Sequence, residues 1–131
     1  MLRTPCKNHK TDMSKKTKKK TYKFGMLAEK ITILLLTLKG YKIIKWRYKN
    51  HFGEIDIIAQ KSNIIIAVEV KARRGNYNIE QIIRPKQIEK IKKSLEFFVA
   101  KNKKFHKFRF RFDYVEVGKF LTCAHHKNFF S

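Results

Sequence analysis

The sequence predicts an α/β domain with element order α-β-β-β-α-β, a mixed sheet flanked by helices. Three features carry this prediction. An apolar period of three and four residues opens at Phe24, three Ile/Val-rich runs follow between Gly or polar breaks, and a proline-led helical period precedes one last alternating run.

Phe24, Leu27, Ala28, Ile31, Leu34, Leu35 and Leu38 recur at helical spacing, and Gly40 is placed to stop that helix. Tyr41 to Tyr48 (YKIIKWRY) reads as the first strand. Glu54 to Ala59 (EIDIIA) follows Gly53, and Ile64 to Lys71 (IIIAVEVK) follows the Lys61-Ser62-Asn63 break. Arg73 to Asn78 is a polar, Gly-containing loop. Pro85 suits a first helical turn, and Ile88, Ile91, Leu95, Phe98 and Val99 give that helix one apolar face. Phe108 to Val117 (FRFRFDYVEV) alternates, with Phe108, Phe110 and Phe112 toward the core and Arg109 and Arg111 opposite. The domain spans residues 21–117. A polar, Lys-rich arm over residues 1–20 precedes it, read as disordered, and a weakly patterned tail over residues 118–131 follows.

The chain has 131 residues, with 32 Lys+Arg against 10 Asp+Glu and a formal net charge of +22. At 43% hydrophobic residues it is too apolar for a disordered polycation. The longest apolar run, Ile31 to Leu38, falls far short of the ~20 residues needed to cross a bilayer. Cys6 and Cys123 are too few for a disulfide framework, which points to a reducing, cytoplasmic setting. The excess charge favours a polyanion partner, although a Lys-rich surface is also what an AT-rich genome writes.

The scarce acids say more. Glu54, Asp56 and Glu69 fall inside apolar strands, where an unpaired charge is costly. Alternation puts Glu54 and Asp56 on one face, and Glu69 and Lys71 likewise. A hairpin turning about the Ser62–Asn63 bond sets Asp56 opposite Glu69 and Glu54 opposite Lys71, with opposed Cβ atoms ~4.5–5.5 Å apart. Two opposed carboxylates repel unless a cation lies between them. Their hard oxygens suit Mg²⁺, with the carbonyl of Val70 as a further ligand and Lys71 beside the reacting phosphate. The same residues also fit a solvated sheet surface with an ordinary Glu54–Lys71 cross-strand pair. Glu29 has the same two readings on the first helix, since it lies about 140° from the centre of the apolar stripe.

Read together, Ala28-Glu29, GEIDIIA at 53–59, VEVKAR at 68–73, Lys86-Gln87 and Arg111-Phe112-Asp113 stand in the order expected of a known family. Over roughly residues 23–117 the chain resembles the YraN family, a widespread bacterial family related to Holliday-junction resolvases. The resemblance implies the PD-(D/E)XK nuclease, or restriction-endonuclease-like, fold. It further implies a phosphodiester hydrolase dependent on Mg²⁺ or Mn²⁺, with Asp56 and Glu69 on the metal, Lys71 assisting and Glu29 contributing from the first helix. Nucleic acid, DNA more than RNA, is the implied partner. Arg73, Arg74 and Arg84 bracket the loop after Glu69-x-Lys71 and, with Lys86, are candidate phosphate contacts; a solvated charge run is the alternative reading of the arginines. A domain acting on a two-fold symmetric junction would also form a homodimer. The alternative is a non-catalytic nucleic-acid-binding or scaffolding domain on the same fold. Two positions depart from the family pattern: Arg47 stands where Asn usually precedes an aromatic, and the loop after Arg74 lacks the usual aromatic-Gly pair.

Overall fold

The computed structural model describes residues 23–72 and 83–129. The elements are α1 (residues 23–38), β1 (Lys42–Asn50), β2 (Gly53–Lys61), β3 (Ile64–Ala72), α2 (Pro85–Lys101), β4 (Arg109–Val117) and β5 (Cys123–His126). The expected α-β-β-β-α-β order is present, with one strand added at the end. The arm over residues 1–20, and with it Cys6, lies outside the described residues, as do Arg73 and Arg74.

The sheet has five strands in the order β1-β2-β3-β4-β5. The first three form an antiparallel meander, β4 adds in parallel to β3 after the α2 crossover, and β5 returns antiparallel to β4. Period-two alternation sends β2, β3 and β4 side chains into two cores. Ile58, Ile65, Ala67 and Tyr114 pack with Ile91, Leu95, Phe98 and Val99 of α2. Ile57, Ala59, Ile66, Val68, Val115 and Val117 pack with Ala28 and Leu36 of α1.

Helix α1 ends as its glycine predicts. Gly40 takes φ 92, Tyr41 N–H donates to Leu36 O at 2.9 Å, and Gly40 N–H donates to Thr37 O at 3.0 Å. That pair of bonds is a Schellman cap. The face that α1 buries is not the one the apolar period suggests. Ala28, Thr32 and Leu36 are buried, whereas Leu27, Leu34 and Leu38 are 44%, 60% and 78% exposed. The run Ile31–Leu38 is apolar nearly all round, so hydrophobicity alone does not choose a face. Small Ala28 and Thr32 let the helix approach the sheet, and Thr32 Oγ1 satisfies itself on Ala28 O at 2.8 Å. Leu34→Lys is therefore expected to change unfolding free energy by no more than about 0.5 kcal/mol in urea titrations.

Within the weakly patterned tail, Cys123–His126 forms β5. Val115 pairs with His125 and Val117 with Cys123, and a buried polar cluster ties this strand down. Arg111 donates through Nε and Nη2 to the two carboxylate oxygens of Asp113, each at 2.8 Å. Asn128 N–H donates to Asp113 Oδ1 at 3.0 Å, and Arg111 Nη2 donates to Tyr41 Oη at 2.6 Å. The Lys39 ammonium lies 2.9 Å from His125 Nδ1, which leaves the ring proton on Nε2 to meet Asp113 Oδ2 at 2.8 Å. Asp113 is thus a fully buried charge with matched donors. Burial acts to raise it, but the bonds from His125, Arg111 and Asn128 outweigh that and hold it at about 2. The Phe row that leads into β4 is split: Phe108 and Phe112 pack against the α2-side core, while Phe110 is 40% exposed.

Candidate active site

The β2–β3 register matches the turn-based expectation. Lys61 pairs with Ile64, and the opposed pairs continue to Ile57 and Val68. Extending that register places Asp56 against Glu69. The ladder then changes character: Val70 N–H donates to the Asp56 carboxylate, Oδ2, at 2.9 Å. A side chain has taken the acceptor role that a main-chain carbonyl would hold.

Alternation also breaks at Asp56. Ile55 belongs to the core beneath α2, whereas Ile57 belongs to the core beneath α1. The cause lies on β1. Trp46 pairs with Ile57 and Tyr48 with Ile55, so Arg47 stands opposite Asp56, and Arg47 has φ 56. Arg is uncommon in this left-handed conformation, which Asn tolerates better. Here Arg47 turns its Nε to Glu29 Oε2 at 2.8 Å, and Trp46 Nε1–H donates to the same oxygen at 2.9 Å. Glu29 is accordingly not a solvated surface acid. Its side chain is 14% exposed, because the face that α1 buries rotates it toward the sheet.

Glu29, Arg47, Lys49, Glu54 and Asp56 line an open pocket of about 390 Å³, with Gly25 and Met26 at its rim. Glu69 is 6% exposed and lies within hydrogen-bonding reach of Asp56. Lys71 Nζ is 3.3 Å from Glu69 Oε1, and Gln87 Nε2 donates to that oxygen at 2.7 Å. Lys71 therefore pairs along its own strand with Glu69 rather than across the hairpin in the simple Glu54 pair. Arg84 and Lys86 are exposed at the N-terminal end of α2, flanking Pro85 and next to Gln87.

The electrostatics of this site are opposite to those of Asp113. Burial pushes Asp56 up to about 6; the Val70 N–H opposes this, and Glu29 adds to it. Burial, then repulsion from Asp56, pushes Glu69 up to about 8, with Lys71 opposing. One ammonium does not balance two buried carboxylates. Among the described residues no three His, Cys, Asp or Glu side chains converge as a metal-holding group. The donor set is the Asp56–Glu69 pair, with Glu29 engaged by Arg47 and Trp46 on the pocket wall. A pair of carboxylate oxygens supplemented by a carbonyl, water and substrate oxygens is what Mg²⁺ accepts, so the residues present fit such an ion.

The contributions of Trp46, Arg47 and Gln87 carried little signal in the sequence. Gln87 stands in the Lys86-Gln87 pair at the start of a helix, but nothing in the spacing aims its amide at Glu69.

Comparison with known proteins places the chain. It matches the model of the family described as "Uncharacterised protein family UPF0102" over residues 28–117, which includes α1 from Ala28 onward, all three meander strands, α2 and β4. The chain belongs to the UPF0102 (YraN) family. A UPF0102 protein of Sinorhizobium medicae is 38% identical over 108 residues, 82% of this chain and 88% of the relative. One from Ehrlichia ruminantium is 44% identical over 101 residues, 72% of this chain and 78% of the relative. One from Bartonella tribocorum is 31% identical over 123 residues, 94% of each. The UPF0102 match ends at Val117, so β5 lies beyond it, while the Asp113 that anchors β5 lies within it. Among the described residues no helix is long and apolar enough to cross a membrane.

Proposed function

We propose that this UPF0102 protein binds nucleic acid and hydrolyses its phosphodiester backbone with a bound Mg²⁺ or Mn²⁺ at Asp56 and Glu69. One observation carries the reading: two buried carboxylates within reach of each other, both pushed well above their ordinary range, with the single ammonium of Lys71 beside Glu69. A fold keeps such an arrangement at a cost, and a divalent cation removes that cost.

Asp56 and Glu69 would hold the ion, with the Val70 carbonyl as a further ligand. When bound, the ion supplies a polarised phosphoryl oxygen and a water of lowered pKa. The chain's own groups do the positioning. Val70 N–H fixes one carboxylate and Gln87 the other. The Lys71 side chain is 31% exposed, so its ammonium, which lies 3.3 Å from Glu69 Oε1, can also meet an entering phosphate. Arg47 and Trp46 keep Glu29 at the pocket wall, where its charge disfavours a second anion except through a cation. The net charge of +22 draws a polyanion to the surface, and exposed Arg84 and Lys86 present two cations near Gln87.

A second reading, a binding domain without catalysis, is favoured by the absence of a third converging carboxylate among the described residues. Cleavage of branched, duplex and single-stranded substrates with Mg²⁺ or Mn²⁺ separates the two. Wild type is expected to cut at least one substrate, and Asp56→Ala to cut none while still binding it. Equal inactivity of both proteins, with equal binding, would leave only the binding domain.

A further inference from the structure

A groove lies between β1, at the edge of the sheet, and the C-terminal end of α2. It holds about 540 Å³, and Lys45, Lys49, Asn50, His51, Phe97 and Lys101 are among its lining residues. No Asp or Glu is among these lining residues. Lys49 also lines the pocket that contains Asp56, so the groove and the carboxylate site share one residue.

The groove is preformed. Its outer end is the β1–β2 turn, in which Asn50 Oδ1 accepts from Phe52 N–H at 2.9 Å and from Gly53 N–H at 3.3 Å. The same side chain fastens the turn to α2: Ser94 Oγ donates to Asn50 Oδ1 at 3.2 Å, and Asn50 Nδ2 donates to Ser94 O at 3.3 Å. Gly53 lets the turn lie this close, since at φ 156 any Cβ there would sit 3.3 Å from Lys90 Cβ. The His51 ring is held 4.0 Å from Phe52 and edge-on to Phe97 at 4.9 Å, yet His51 stays exposed. The Lys101 ammonium rests 4.3 Å over the Phe97 ring. Exposed lysines flank a braced aromatic ring, the combination that single strands use: cations for the backbone and an aromatic face for an unstacked base. A paired base hides its face within the duplex and cannot reach such a ring.

We propose that this groove is a track for an unpaired polynucleotide strand leading, past Lys49, to Asp56 and Glu69. Lys45, Lys49 and Lys101 take successive phosphates, and His51, braced by Phe52 and Phe97, offers its ring to a base. The enzyme's substrate would then carry a single-stranded segment beside the scissile bond. This rests on the nucleic-acid reading above, and its test distinguishes the two.

Binding is measured by fluorescence anisotropy with the full chain in EDTA, using a labelled oligothymidylate, the matching oligouridylate and a blunt duplex of equal length. Lys45→Ala/Lys101→Ala is expected to weaken both single strands about tenfold at low salt and to flatten their salt slope by about 1.4. His51→Ala is expected to weaken them about fivefold or more. The blunt duplex should change less than about threefold with either variant. The single strand that wild type holds more tightly identifies the natural backbone. Unchanged single-strand binding would overturn the track and leave Lys45 as a guard on the sheet edge. An equal loss on the duplex would overturn the preference for an unpaired strand. A wild type that binds none of the three probes would instead remove the nucleic-acid reading itself.

Discussion

Asp113→Ala is expected to destabilise the fold by about 3–5 kcal/mol, since it strips the partner from a buried charge. The Arg111 side chain is 18% exposed and that of His125 is 2% exposed, and both lose their acceptor together with Asn128 N–H. The strand β5 hangs on this cluster through His125, so its amides should exchange with solvent faster than those of β2 and β3. Acid should act in the same direction. Asp113 is held at about 2, below its ordinary range, so its contribution is present above pH ~4 and is lost as pH falls toward ~2. Urea titration and hydrogen exchange of the variant check both points. An unchanged β5 would show that backbone pairing alone holds the strand.

The other buried carboxylate system should respond with the opposite sign. Glu69→Gln is expected to raise the stability of the metal-free protein at pH 8 by about 1–3 kcal/mol. The amide keeps the shape and a hydrogen bond to Gln87, but removes a charge that burial and Asp56 both oppose. The pH window follows from the upward shifts. In the metal-free fold burial and mutual repulsion push the Asp56–Glu69 pair upward, to about 6 and about 8, against unfolded values near 4. Protons bound by the folded state stabilise it fully below pH ~4, and that stability is lost as pH rises through ~6 and ~8. The difference between Glu69→Gln and wild type should therefore grow from near zero at pH ~4 to its maximum at pH ~8. A difference that stays flat across that range would show that Glu69 is not strained by its surroundings.

These two carboxylate systems differ in how far the sequence foretells them. Asp56 against Glu69 follows from a two-residue turn and period-two alternation, and the pairing of Ile57 with Val68 bears out that register. What the strand pattern misses is the kink at Asp56, because its cause is a left-handed residue, Arg47, on the neighbouring strand. The placement of Glu29 was hidden for a related reason. Its exposure depends on which face α1 buries, and an almost wholly apolar helix leaves that to the small residues Ala28 and Thr32. The segment Cys123–His126 has neither β-branched residues nor alternation, so nothing local marks it as a strand. Its order comes from His125 meeting a buried acid twelve residues earlier, a tertiary contact that no local pattern contains. By contrast α2 is legible: Pro85 begins it, Ile91, Leu95, Phe98 and Val99 are buried and Ile88 is half-buried against the same core, while buried Ser94 lies outside the apolar period.

The central claim is that Asp56 and Glu69 form a divalent-cation site. It is tested most directly by Mn²⁺ titration at pH 8, following thermal unfolding of wild type, Asp56→Asn and Glu69→Gln. Mn²⁺ should raise the midpoint of wild type progressively with concentration, as ligand binding to the folded state requires. It should leave both variants unmoved. An equal Mn²⁺ shift in all three proteins, or none in wild type, would contradict the account.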